Sequence, residues 1–147
     1  MTEITIHRAT SADKLEWFKM RKGIWPQALD DYLCSDMDEI LGSDKDAVFL
    51  AIVDERFAGM IEACLREYAE ACETSPVGYI EGWFVYADLR GKGVAGALLQ
   101  AAEDWAREHG CIEMASDTWL DNDAGIRAHV KLGYTEVERL VHFVKQL

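Results

Sequence analysis

Arg90-Gly91-Lys92-Gly93 stands directly before a run of apolar residues at helical spacing. A glycine turn opening a helix leaves free backbone N–H groups at the positive end of the helix dipole, and such a site suits phosphate. Arg90 and Lys92 add charge beside it. Upstream, Glu81 interrupts the apolar run Tyr79–Tyr86. A carboxylate inside such a strand is expected to be buried, and burial without a partner is costly. It is either half of an ion pair, with Arg66 the nearest candidate, or a base or amine ligand. Asp117 ends a later apolar stretch; as a residue type it fits a turn or cap equally well. Trp25, before Pro26, is either core or a flat face for stacking a sugar.

The remaining chemistry-bearing residues exclude more than they suggest. Cys34, Cys64, Cys72 and Cys111 form no C-x-x-C pair, and His7, His109, His129 and His142 are scattered. Nothing has zinc spacing, so no metal is expected. No cysteine stands beside a clear base, and free, mostly buried thiols in a reducing compartment are the expectation.

These groups need a strand and a helix to hold them. Tyr79–Tyr86 is apolar and aromatic, as a buried strand should be. Beyond the turn, Ala95, Leu98, Leu99, Ala102, Trp105 and Ala106 recur at helical spacing, with Gly110 as the stop. Before them, Thr2–Arg8 alternates as a first strand, and Thr10–Asp13 offers caps for a helix ending near Gly23. On that helix Leu15, Phe18 and Lys22 share a face. Asp30–Asp46 is acidic with a short amphipathic helix inside it, read either as a solvated face or as a negative rim for a polyamine. Ala47–Val53 is a central strand, Phe57–Leu65 its antiparallel partner, and Gly59 marks a bulge. Cys111–Thr118 is the next strand. Asn122 or Asp123 caps a helix that Gly133 ends, and Tyr134–Val137 with Arg139–Gln146 forms a last antiparallel pair. The expected fold is α/β: a mixed, mostly antiparallel sheet flanked by helices, as one domain over 1–147.

Composition narrows the partners. The 147 residues carry a net charge of −12, which argues against nucleic acid and against anionic membrane. No basic-then-apolar leader pattern opens the sequence and no run is long enough to span a bilayer, so a cytoplasmic location is expected.

Two sequence patterns fit the turn. Gly91-x-Gly93-x-x-Gly96 matches the dinucleotide fingerprint, but too little chain follows for a doubly wound sheet. Arg90-x-x-Gly93-x-Ala95, with Asn122 and Lys131-Leu132-Gly133-Tyr134, resembles the GCN5-related N-acetyltransferase superfamily over the whole chain. Trp25-Pro26, Ser75-Pro76-Val77, Ile80-Glu81-Gly82 and above all Glu113–Thr118 are similar to the chromosomal bacterial aminoglycoside 6′-N-acetyltransferases. The resemblance implies the acyl-coenzyme A N-acyltransferase fold and acetyl transfer from acetyl-coenzyme A to an aminoglycoside 6′-amine, conferring resistance. It implies that Arg90, Gly91, Lys92, Gly93, Val94 and Ala95 grip the pyrophosphate, that Trp83, Phe84 and Val85 bond the acetyl-pantetheine arm, and that Asn122 also contacts it. It implies Trp25, Tyr68, Glu81, Asp117 and Glu138 around the aminoglycoside, and a homodimer; because the attacking amine must lose a proton while carboxylates favour the ammonium, Glu81 or Asp117 is expected to accept it. Where many members place a tyrosine acid, this chain has His129, either that acid or a packed helix residue. The alternatives are an acetyltransferase for another polyamine or a protein N-terminus, and a non-catalytic acyl-coenzyme A sensor.

Overall fold

The structure, a computed structural model, describes residues 3–147. It divides into two compact units, one ending at Ser116 and one of Asp117–Leu147. The larger holds five strands: β1 (Ile4–Arg8), β2 (Asp46–Val53), β3 (Arg56–Arg66), β4 (Val77–Val85) and β5 (Met114–Ser116). Thr2, included in the expected first strand, lies outside the described residues. The sheet order is β1-β2-β3-β4-β5. The first four strands are antiparallel, and β5 runs parallel to β4. A parallel pair needs a crossover, and α3 (Val94–Glu108) supplies it. This is the mixed, mostly antiparallel sheet that the sequence leads one to expect.

Helices cover both faces. α1 (Lys14–Ile24) and α2 (Asp30–Leu41) bury Trp17, Met20 and Met37 against Val48, Leu50 and Met60. The opposite face meets α3, where Leu98 lies beside Gly59. On α1 the inward stripe is Trp17, Met20 and Arg21. Leu15 of the expected face is exposed instead, because the i, i+3, i+4 spacing beginning at Trp17 buries more area. Three carboxylates of the acidic stretch, Asp30, Asp36 and Asp38, pair with Lys22, Arg21 and Lys14 of α1. Part of that negative face therefore clamps two helices together.

Two irregularities shape β3 and β4. The register shift between Ala51 and Ile52 leaves Ala58 as the extra residue, one before the glycine expected to mark it. The second shift pairs Glu62 with Gly82 but Ala63 with Ile80, so Glu81 is the bulged residue of β4. β5 pairs only with Gly78, Tyr79 and Ile80. From Glu81 to Val85, β4 therefore keeps β3 alone as a ladder partner among the described strands.

In the second unit Asn122 caps α4 (Asp123–Lys131), and Gly133 follows at φ 98°. The expected closing pair of strands does not form: residues 135–147 belong to no helix or strand. Val137, Leu140, Val141, Phe143 and Val144 are exposed there. Strand-like side chains alone do not make a strand; a ladder partner is needed to satisfy the backbone. The strand expected over Cys111–Thr118 is likewise only Met114–Ser116, the part that reaches β4.

Candidate active site

The turn before α3 has the features of an anion cradle. Gly93 is the N-cap at φ 89°, a left-handed conformation that favours glycine, and Gly91 shares it at 78°. A Cβ at Gly91 would meet nothing within 4 Å, so the turn faces open space. The first-turn N–H groups of a helix have no acceptor within it, and Gly93 brings no side chain to cap them. Arg90 is exposed, and its Nε donates to the Val85 carbonyl at 3.1 Å. Trp83 Nε1 donates to the Ala95 carbonyl at 3.3 Å. The open end of β4 and the start of α3 are thus tied together, with polar backbone on the strand and N–H groups on the helix. That arrangement suits a ligand carrying both an amide arm and a pyrophosphate.

Glu81 is not buried. It is the bulged residue, exposed at 38% of its side chain, and the bulge turns it out of the apolar alternation. Its expected ion pair does form: Arg66 Nη2 donates to Oε1 at 2.6 Å and Nε at 3.1 Å. Cys64 Sγ donates to the same oxygen at 3.1 Å. All three bonds converge on Oε1, which leaves Oε2 for another donor. Burial, then the hydrogen bond to Glu81, pushes the Cys64 thiol up to about 12. Arg66 also lies over the Tyr79 ring, 3.5 Å from its centre.

Trp25 is half-buried. Its ring rests on the β4 backbone at Gly82, where a Cβ would come within 2.8 Å of it. Trp25, Glu81, Gly82 and Trp83–Val85 therefore form one continuous patch. Tyr68, at 68% exposure, stands on the segment after β3.

Asp117, Asn122 and Glu138 belong to the second unit and are exposed. Asn122 Oδ1 accepts the Gly125 N–H at 3.0 Å, and its Nδ2 donates to Thr118 Oγ1 at 2.8 Å. That cap shapes the loop ahead of α4. His129 Nδ1 is 2.6 Å from the Gly125 carbonyl, with Tyr134 edge-on at 5.8 Å. A proton on Nδ1 makes that bond.

One buried cluster escaped the sequence reading. Glu62 and Arg21 are 3% and 2% exposed. Arg21 donates to both Glu62 oxygens, at 2.8 and 3.0 Å, to the Leu33 carbonyl at 2.9 Å and to Asp36 at 2.6 Å. Trp17 Nε1 donates to Glu62 at 2.8 Å. Burial disfavours the charged Arg21, but the two carboxylates outweigh it and its pKa is raised. The signal that could have found it is the one applied to Glu81, a carboxylate within an apolar strand.

Among the described residues no cluster of His, Cys, Asp and Glu could hold a metal, and no helix is long and apolar enough to cross a membrane. Of the cysteines only Cys111 is buried; Cys34 is exposed and Cys64 and Cys72 are intermediate, so the expectation of mostly buried thiols does not hold. Cys34 lies on α2 and Cys72 in the segment between β3 and β4, both outside the strands.

Residues 12–134 match the family model described as Acetyltransferase (GNAT) family. The chain is 42% identical over 141 residues to an aminoglycoside N(6')-acetyltransferase type 1 of Stenotrophomonas maltophilia, covering 95% of this chain and 91% of that one. A solved structure of AAC(6')-Iy with the bisubstrate analog CoA-S-monomethyl-acetylneamine superposes with a TM-score of 0.93 at 36% identity, covering 99% of both chains. The same enzyme in complex with CoA also gives 0.93, at 35% identity, covering 100% of this chain and 97% of that one.

Proposed function

We propose that this chain, which belongs to the Acetyltransferase (GNAT) family, transfers acetyl from acetyl-coenzyme A to the 6′-amine of aminoglycosides and so confers resistance to them. The observation that carries the reading is β4 opened at the Glu81 bulge beside the glycine turn of α3. The relatives' aminoglycoside activity and the CoA-bound neighbour support it.

Acetyl-coenzyme A supplies a thioester carbonyl ready for attack by an amine. In this reading the N–H groups of Gly91–Ala95 hold its pyrophosphate, with Arg90 and Lys92 adding charge. The Trp83–Val85 backbone bonds the amide arm and polarises the carbonyl oxygen, and Asn122 gives a further contact. Trp25 stacks on the sugar; Tyr68, Glu81, Asp117 and Glu138 complete its site. The reading takes 1–147 as a single N-acetyltransferase domain. The amine nitrogen forms the C–N bond as the C–S bond breaks and the coenzyme A thiolate leaves. The amine proton passes to Glu81 or Asp117, directly or through water. Carboxylates also favour the ammonium, so one of them accepts the proton while the rest hold the other charged amines. Holding both reactants in place supplies most of the acceleration.

The reading includes a cytoplasmic homodimer that binds neither nucleic acid nor membrane. The charge of −12 supports the last part. The apolar side chains exposed along 137–144 support a second copy as cover; light scattering tests it, with a dimer mass expected. Thiol release from acetyl-coenzyme A tests the activity. Kanamycin and tobramycin should release thiol, and an aminoglycoside with a 6′-hydroxyl should bind without turnover. Release only with spermidine or a peptide N-terminus would move the reading to another amine, and cofactor binding without release would leave a sensor.

A further inference from the structure

We propose that the buried Arg21–Glu62 pair is a positioning pair for the Trp25 indole, and through it for the aminoglycoside ring. The inference rests on the reading above that Trp25 stacks on substrate.

Trp25 follows the last residue of α1 and is no longer helical, with φ −122° and ψ 67°. Its N–H donates to the Arg21 carbonyl at 2.8 Å. Its side chain, however, is freed from the helix at the edge of the site. Two surfaces restrain it. One is the β4 backbone at Gly82, where any Cβ would collide with the ring. The other is the Arg21 guanidinium, 5.3 Å from the ring centre. A cation over an indole holds it only if the cation itself is held. Arg21 is: Nε and Nη2 lie on Glu62, Nη2 also on Asp36, and Nη1 on the Leu33 carbonyl. Glu62 is held in turn by Trp17 Nε1. Glu62 and Gly82 are register partners, so the pair and the indole sit on the same rung of the β3–β4 ladder. That rung immediately follows the bulged Glu81.

A well-packed apolar pair would join α1 to β3 as firmly, since buried ion pairs add little net stability. It would not offer a rigid planar cation to the indole, and lysine would not offer the fork. The arrangement accounts for the choice of arginine better than stability does.

The test uses the full chain labelled with 5-fluorotryptophan. Trp25→Phe identifies the Trp25 fluorine resonance among the five tryptophans. In the unaltered chain that resonance should be single and narrow without substrate. In Arg21→Lys it should broaden or split while that of Trp105 on α3 stays put. The KM for tobramycin should rise about fivefold with that for acetyl-coenzyme A within about twofold, as loss of one exposed-edge cation–π restraint implies. Arg21→Met combined with Glu62→Met removes both charges at similar volume and should act likewise, which covers failure of the lysine variant to fold. A broad Trp25 resonance in the unaltered chain, an unmoved one in both variants, or two Michaelis constants rising together would overturn the positioning role. An unchanged tobramycin KM in Trp25→Phe would instead overturn the placement of Trp25 at the substrate, and the line widths would still decide what restrains it.

Discussion

Two arginine–glutamate pairs meet the β3–β4 ladder at one bulge, Glu62 of β3 with Arg21 of α1 and the bulged Glu81 of β4 with Arg66 of β3, and the two have opposite characters. Arg21 and Glu62 are buried, and Nε, Nη1 and Nη2 of the guanidinium all donate hydrogen bonds. Arg66 and Glu81 are each 38% exposed at the side chain, and all bonds to Glu81 fall on one oxygen. The chemistry of the partners is the same. What differs is the burial of each glutamate and the room left at its carboxylate. A saturated pair can only position; a half-satisfied one at an open strand edge can meet a substrate amine.

The largest expected effect separates the pairs by stability. Glu62→Ala leaves a buried guanidinium short of its main partner and should cost about 3–5 kcal/mol in urea unfolding. Glu81→Ala should cost under about 1 kcal/mol, as exposed pairs do. Similar losses in both would mean that burial does not distinguish them.

Activity should reverse the ranking. If Glu81 accepts the proton, Glu81→Gln should lower kcat about 100-fold and remove the acidic limb of the pH–rate profile, with cofactor binding intact. Asp117→Asn tests the other candidate base by the same two readouts. Normal turnover in both would hand proton removal to solvent.

A smaller effect reports on Glu81 through Cys64. The folded thiol titrates near 12 against an ordinary 9.0. The unfolded chain therefore loses this proton first, and the thiol's contribution to stability falls as pH rises from about 9 through about 12. Iodoacetamide at pH 8.5 should label exposed Cys34 well before Cys64. Glu81→Gln removes a neighbouring charge that raises the thiol, so Cys64 labelling should speed up severalfold by mass spectrometry. Unchanged labelling would contradict the Cys64–Glu81 contact.

The smallest effect is salt. The KM for aminoglycoside should rise about two- to threefold between 0.05 and 0.5 M sodium chloride, because exposed pairs are screened. The urea midpoint should follow salt less, because charges in the buried pair are screened less. A salt-independent KM would favour an amine site without the carboxylates named above.

Local signals were legible where the chain forms a structure from neighbours. The turn and helix from Arg90 to Gly110, the Thr10 and Asn122 caps and the Gly133 stop follow from glycine at positive φ and from side chains that reach their own backbone. Glu81 and Glu62 looked alike, each a carboxylate among apolar residues. Yet Glu81, whose strand pattern predicts burial, is exposed, and Glu62 is buried. A one-residue bulge reverses inside and outside, and register depends on pairing with a distant strand.

Residue type and spacing were enough for the strand–turn–helix with its open first-turn N–H groups, because the glycines and the helix start act within a few residues. Which carboxylate faces solvent, which arginine is buried and where strands stop depended on tertiary structure. Arg21 lies 41 positions from Glu62, and their pairing follows from α1 packing on the β3 face. The tail at 135–147 has strand-forming side chains but no ladder. A strand is completed by hydrogen bonds to another segment, and no pattern within it supplies that partner.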